Sequence, residues 1–268
     1  MSELAFYVYC IAESEAAAEH TADSLPAAIE EGSKLEWVVS DELAALTSPV
    51  PLASYSEDSL AEHLSDARWT AARAMRHETI AEYVAKRAAI VPLRFGTIYL
   101  ERAGIERMLS EQRSGLREIL ERLRGREEWG VNVFCDQSVL MSSITSVSPV
   151  LRELSERAAQ ASPGQSYLMQ KKIDTLKVDE ARAALNRNIE EIEQTLSEQS
   201  VDRKRLRVLK VEATEYGELK AKFAFLVTKS EFDAFRDAAE RLAQEHQPAG
   251  VRLELTGPWP AYNFTRIE

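Results

Sequence analysis

The side chains in this 268-residue chain best suited to metal or nucleophile chemistry are four histidines and two cysteines, and their spacing argues against both uses. His20, His63, His77 and His246 lack ligand spacing with one another or with cysteine, so no metal centre is expected. Cys10 and Cys135 each sit inside an apolar, strand-like run, and there is no CxxC pair. They are expected to be buried reduced thiols rather than a disulfide, a zinc site or a redox pair. The ten glycines are scattered singly, with neither GxGxxG nor GxxxxGK[ST], so no nucleotide cradle and no cofactor are expected. His77 falls on a predicted helix, where no nearby Ser, Cys or Asp in the sequence asks for a base. It is expected to be a hydrogen-bonded packing residue. The carboxylates lie on predicted helix surfaces, where solvation is their ordinary state. No catalytic residue is expected.

Three other features could recognise a partner. Arg94 sits in VPLRFGT, out of phase with Val91, Leu93 and Phe95. It is either an arginine on the wet face of a strand, paired with a helix carboxylate, or a clamp for an anion or a second domain. KAKFAFLVTK (220–229) loosely echoes an aromatic strand of RNA-recognition domains, but the motif's glycine and last aromatic are missing. Phe223 and Phe225 are expected in the core instead. The third feature is LELTGPWPAYNF (253–264), where Gly257, Pro258 and Pro260 precede or flank a cluster of aromatics. Ordering a residue costs roughly 1–2 kcal/mol, so an aromatic tail is expected to pack back on its own chain, at the junction with the first domain near VPLRFGT. The alternative is a free hook for a partner. Arg94, Phe95, Trp259, Tyr262 and Phe264 are the candidate interaction or interdomain residues. Were the Trp259 indole fully buried, its loss would cost roughly 3–5 kcal/mol.

The elements that must position these residues follow from periodicity. Ala5 to Ile11 reads as a strand buried on both faces. LEWVVSDELAAL (35–46) reads as a strand ending near Ser40, with Asp41 opening a helical turn. Ser56 and Asp66 are candidate helix caps, and Trp69, Arg76, Ile80, Tyr83 and Arg87 fall on one stripe of the second helix. IVPLRFGTIYL (90–100) reads as a strand, and residues 101–123 as one helix. Further strands are expected at 129–136, 206–213, 219–227 and 251–255. Helices are expected at 150–160, from a capping box at Ser162–Gln165 to about Gln199, and from a cap at Ser230. The Ser-rich stretch 142–149 leads into the first of these three helices. The order from 129 to 255 is β-α-β-β-α-β, the ferredoxin-like arrangement. The fold expected is α+β in two domains, 1–125 and a ferredoxin-like 126–256, with a tail at 257–268.

The balance of 33 basic against 44 acidic residues, a net charge of −11, argues against a general grip on nucleic acid. The apolar run near the N-terminus is too short to span a bilayer and lacks a basic flank, so a cytosolic chain is expected.

Five segments together resemble one family, the gas vesicle protein F/L family, with F the closer in character. They are FYVYCIA, VPLRFGTIY with His77 upstream, LRGREEWGVNVFCD, SPGQSYLMQKK and RLELTGPWPAYNF. Cys10 stands where the family often has Gly, and Ala261 where a second proline is common. The resemblance implies an accessory protein of gas vesicles, the gas-filled protein shells that give some prokaryotes buoyancy. Such a protein binds the hydrophobic shell protein and limits its aggregation while a vesicle nucleates, without catalysis and without a cofactor. The partners implied are the main shell protein and other gas vesicle accessory proteins, with no nucleic acid and no membrane, and the location is the gas vesicle and cytoplasm. RNA binding through 220–229 and a small-molecule enzyme on the same fold are the other function classes, which fold alone does not exclude.

Overall fold

The computed structural model describes residues 4–19, 25–208, 213, 214 and 216–265. It divides into two compact units, Met1–Glu127 together with Trp259–Glu268, and Glu128–Pro258. Among the described residues, no helix is long and apolar enough to cross a membrane.

The first unit opens with β1 (Leu4–Glu13), α1 (Ser14–Glu19), β2 (Glu36–Ser40) and β3 (Leu43–Pro51). Next come α2 (Leu52–Tyr55), α3 (Glu57–His63), α4 (Ala67–Ala85), β4 (Ile90–Pro92) and β5 (Ile98–Tyr99), and then α5 (Arg102–Glu111) and α6 (Arg113–Leu123). The sheet order is β2-β3-β1-β4, with β5 also on β1. The apolar run of β1 thus becomes an interior strand, as its composition requires. The register of β1 on β3 slips between Val8 and Cys10. Such a bulge reverses side-chain alternation, so Ala5, Tyr7 and Tyr9 share one core with Cys10 and Ala12.

Three sequence expectations change here. Asp41 opens no helical turn. It takes a left-handed φ of 51° in a tight hairpin that pairs Ser40 with Leu43. Aspartate tolerates that conformation, and the helix-favouring ELAAL that follows is overridden by burial of Leu43 to Leu46 in the sheet. The strand expected over 90–100 is two short strands separated by a turn, where Gly96 has φ 84°. The helix expected over 101–123 breaks at Gln112, with neither Gly nor Pro to announce it. Ser56 and Asp66 do cap α3 and α4, Asp66 accepting from the backbone N–H of Arg68 and Trp69. The buried face of α4 is His77, Ile80, Ala81 and Val84.

The second unit contains β6 (Arg126–Cys135), α7 (Gln137–Val147), α8 (Pro149–Gln160), α9 (Pro163–Glu198) and β7 (Asp202–Leu206). It continues with β8 (Ala213–Thr214), β9 (Gly217–Thr228), α10 (Phe232–His246) and β10 (Val251–Trp259). Its sheet order is β10-β6-β9-β7, with β8 on β9. The strand expected over 206–213 lies partly outside the described residues, and β7 begins earlier, pairing Asp202 with Leu226. The Ser-rich stretch is helical in α7. Ser142, Ser143 and Ser146 return their hydroxyls to carbonyls one turn back, at Val139, Leu140 and Ser143, which removes their usual preference for turns. Ser162 precedes Pro163 at the start of α9, but its hydroxyl bonds the Gln165 side chain rather than a backbone N–H. Ser230 lies in a 3₁₀ turn, and Glu231 stands at the N-cap of α10. Phe223 and Phe225 of β9 are fully buried and stack in series with Phe235 of α10.

Gly217 holds φ 100°, and a Cβ there would lie 2.3 Å from the Cys135 carbonyl oxygen. Backbone strain and overpacking together predict that Gly217→Ala destabilises the protein by about 2–4 kcal/mol. A urea melt followed by circular dichroism would measure it.

Candidate functional site

In the first unit, a buried histidine ties four pieces of chain together. His77 of α4 is 2% exposed. Its Nδ1 lies 3.0 Å from the Tyr7 hydroxyl of β1, and its Nε2 lies 3.1 Å from the Leu93 carbonyl and 3.1 Å from the Tyr262 hydroxyl. A carbonyl can only accept, so Nε2 carries the proton and Nδ1 accepts from Tyr7. The Tyr7 oxygen is then free to accept from the Gly96 N–H at 3.0 Å. Tyr262 accepts from the ring in turn and donates to the Glu78 carboxylate at 3.1 Å. Donors and acceptors alternate along the whole chain, as a buried polar network requires.

Burial sets the protonation of this cluster. It pushes His77 down to about 4, against the partial support of the Leu93 carbonyl, so the ring is neutral. Tyr7 and Tyr262 are driven well above the ordinary phenol range, chiefly by desolvation. Desolvation also raises Glu78. Tyr9, next along β1, accepts from the Ile29 N–H and bonds Ser48 at 2.7 Å, and burial pushes it up to about 12. The same effect takes the buried Cys10 thiol to about 12, far from a reactive thiolate. Cys10 and Cys135 are both free. Among the described residues, no group of three or more His, Cys, Asp or Glu is placed to hold a metal ion. The cluster is a packing and hydrogen-bonding device, with no exposed nucleophile or base.

The closing segment completes it. Tyr262–Phe264 forms a 3₁₀ turn, with the Phe264 ring fully buried and its carbonyl accepting from the Arg122 guanidinium of α6. Of the five residues marked in the sequence, Phe95 and Tyr262 both contact the His77 ring, Phe95 edge-on at 5.9 Å. Trp259 does not take the buried position envisaged for it. It is 42% exposed, and Phe264 is the anchor. The difference is one of strand phase, since β10 continues through Trp259 and the chain turns inward only after Pro260.

Arg94 points elsewhere. Cys10 and Ala12 face the histidine core, so Ile11 between them faces the other side of the sheet. There a groove of about 440 Å³ lies between β4 and the two helices that follow, with Ile11 and Leu93 on the sheet side and Met108, Leu116 and Ile119 on the helix side. Arg94 stands exposed beside Thr97 and Gln112 at this groove. It has no ion pair among the described residues, so the expected helix carboxylate is not found there. Reasoning from sequence missed Tyr7, Glu78 and Arg122. Tyr7 alone left a signal, as one of two tyrosines spaced two apart in a mostly apolar strand.

Comparison with known proteins gives a consistent picture. The model of the family described as gas vesicle synthesis protein GvpL/GvpF matches residues 5–266. Gas vesicle protein L of Streptomyces sp. (strain CB03234) is 28% identical over 84% of this chain and 81% of its own. Gas vesicle protein F of the same strain is 27% identical over 81% of this chain and 88% of its own. The crystal structure of the gas vesicle protein GvpF from Anabaena sp. PCC7120 superimposes with a TM-score of 0.66 over 99% of this chain and 97% of that one. At 16% identity, that likeness speaks for the fold alone.

Two outcomes are expected. Phe264→Ala should cost about 3–5 kcal/mol in a chemical melt, and Trp259→Ala distinctly less, because much of the indole already meets water. Stability should also fall with acid. His77 binds its proton in the unfolded chain near pH 6.5 but in the folded one only near 4. Its contribution is therefore full above pH 6.5 and lost as pH falls to about 4, some 3 kcal/mol in all. The raised Glu78 acts with the opposite sign and offsets part of the loss. Melts of wild type and His77→Gln across that range check this, and the variant should lose most of the slope.

Proposed function

The chain belongs to the gas vesicle synthesis protein GvpL/GvpF family, and from that premise we propose that it is an accessory protein of vesicle assembly. In this reading it binds the hydrophobic main shell protein, limits its aggregation while a vesicle nucleates, and works beside other gas vesicle accessory proteins at the gas vesicle. The observation that carries the reading is the family match over residues 5–266, and the groove of the first unit, where Leu93 and Met108 are partly exposed, supports it. Contiguous concave apolar surface is what a holder of an apolar client offers.

The reading is non-enzymatic and needs no cofactor. Its support is chemical, because the buried histidine has both ring nitrogens engaged and Cys10 is buried as a neutral thiol. RNA binding through 220–229 is disfavoured by burial of Phe223 and Phe225, which a base would need to reach. We also read the second unit as ferredoxin-like, supported by the strand order β10-β6-β9-β7 and by helices between its outer pairs. The closing segment is read as an integral part of the first unit rather than a free hook, supported by the burial of Phe264 and the bonds of Tyr262.

Light scattering of shell protein diluted from denaturant tests the proposal. An equimolar amount of this protein should delay and reduce the rise in scattering, and the two should co-purify. Equal scattering with and without it, and no co-purification, would refute the reading.

A further inference from the structure

One face of α4 is buried and the opposite face is open. His77, Ile80, Ala81 and Val84 are buried, while Arg68, Ala71, Met75 and Thr79 are exposed and Glu82 partly so. Those five are spaced three or four apart, so they form one straight stripe along the helix. Met75, at the centre of the stripe, is 72% exposed, more than any other large apolar side chain among the described residues. Thr79 donates its hydroxyl to the Met75 carbonyl at 2.8 Å, so its polar atom asks nothing of a neighbour.

The stripe has an order. Ala71 stands four residues before Met75 and Thr79 four after, while Arg68 stands seven before and Glu82 seven after. Two small residues thus flank the centre, with opposite charges beyond them. A copy of the helix laid antiparallel on this stripe, with a two-fold axis at Met75, sets Met75 on Met75. The same axis sets Ala71 on Thr79 and Arg68 on Glu82, each of them twice. That self-complementarity is what a closed two-fold contact requires. Glu82 reaches the exposed Lys86 at 3.5 Å, a loose pair that leaves its carboxylate open to a second cation. Glu78, beside the stripe, is engaged by Tyr262.

We infer that this face of α4 pairs antiparallel with the same face of a second copy of the chain. The short side chains of Ala71 and Ala72 let the two helices approach closely, and the flexible thioethers of Met75 fill the space between them. The charges fix the direction, because a parallel pairing would set Arg68 against Arg68 and Glu82 against Glu82. A single helix pair is a small interface, in the range below about 1,200 Å² where contacts are transient, so the dimer is a reversible one. The inference stands on α4 and does not depend on the vesicle role.

Sedimentation equilibrium of the full chain over a wide concentration range tests it. The samples are wild type, Met75→Glu, Arg68→Glu, Glu82→Arg and the double variant Arg68→Glu with Glu82→Arg, each checked for an unchanged melt. The changed positions lie at the surface, and an acid near the start of a helix and a base near its end suit the helix dipole, so folding should survive. Wild type is expected to show a monomer–dimer equilibrium. Met75→Glu should weaken it at least tenfold and each single charge reversal at least threefold, since every change counts twice across the axis. The double variant should return to within about threefold of wild type. Oxidation gives a second readout, undisturbed by Cys10 and Cys135, which are buried. Met75→Cys should form a disulfide with its own copy. The exposed Ala67→Cys should not, because eight residues off the axis it lies about 24 Å from its counterpart. A wild type that stays monomeric throughout leaves the stripe to solvent or to another chain and overturns the inference. It is equally overturned if Ala67→Cys crosslinks as fast as Met75→Cys, or if the double variant associates no better than the single ones.

Discussion

The first unit depends on one neutral imidazole. His77 is placed where charge is expensive, and its two nitrogens are satisfied by groups from β1, from the turn after β4 and from the closing segment. Those pieces lie far apart in sequence, so the ring converts several loop closures into one polar knot. A buried network of this kind is worth having only when every member is satisfied. Here the tautomer is dictated by the Leu93 carbonyl, and each hydroxyl then has one direction in which to donate. Loss of any one partner would strand a buried donor or acceptor, which costs about 1–3 kcal/mol.

The bulge in β1 makes this arrangement possible. A regular strand would put Tyr7, Tyr9 and Ile11 on one face and Val8 and Cys10 on the other. The slip between Val8 and Cys10 instead puts both tyrosines and Cys10 on the histidine side and frees Ile11 for the opposite one. One strand thereby serves two purposes. Its tyrosine face closes a polar core around α4, and Ile11 helps line a groove against α5 and α6.

That division separates a buried polar core from a groove at the surface of the first unit. The ion pairs among the described residues are mostly exposed and contribute little to stability. The edge strand β7 carries Arg203, Lys204 and Arg205, the kind of basic side chains that discourage edge-to-edge pairing.

Much of the fold was legible in the sequence. The apolar run of β1, the caps at Ser56 and Asp66, the start of α9 at Ser162–Pro163 and the alternation ending in Phe223, Phe225 and Val227 are local signals, written in side-chain chemistry and spacing. The family was legible too, in five ordered motifs. Where local propensity and tertiary burial disagreed, the sequence misled: ELAAL has helix-forming residues yet lies in a central strand, and the serines of α7 look like a loop yet bond back along a helix. The break at Gln112 has no local mark at all. The candidate site divides the same way. That His77 would be a hydrogen-bonded packing residue followed from its type and from the lack of a nearby Ser, Cys or Asp. That Phe264 and not Trp259 is the anchor, that Glu78 accepts a hydrogen bond from Tyr262, and that Arg94 has no ion pair among the described residues were decided only by the tertiary structure. Each of these depends on where a side chain lies relative to residues scores of positions away, and no local spacing encodes that.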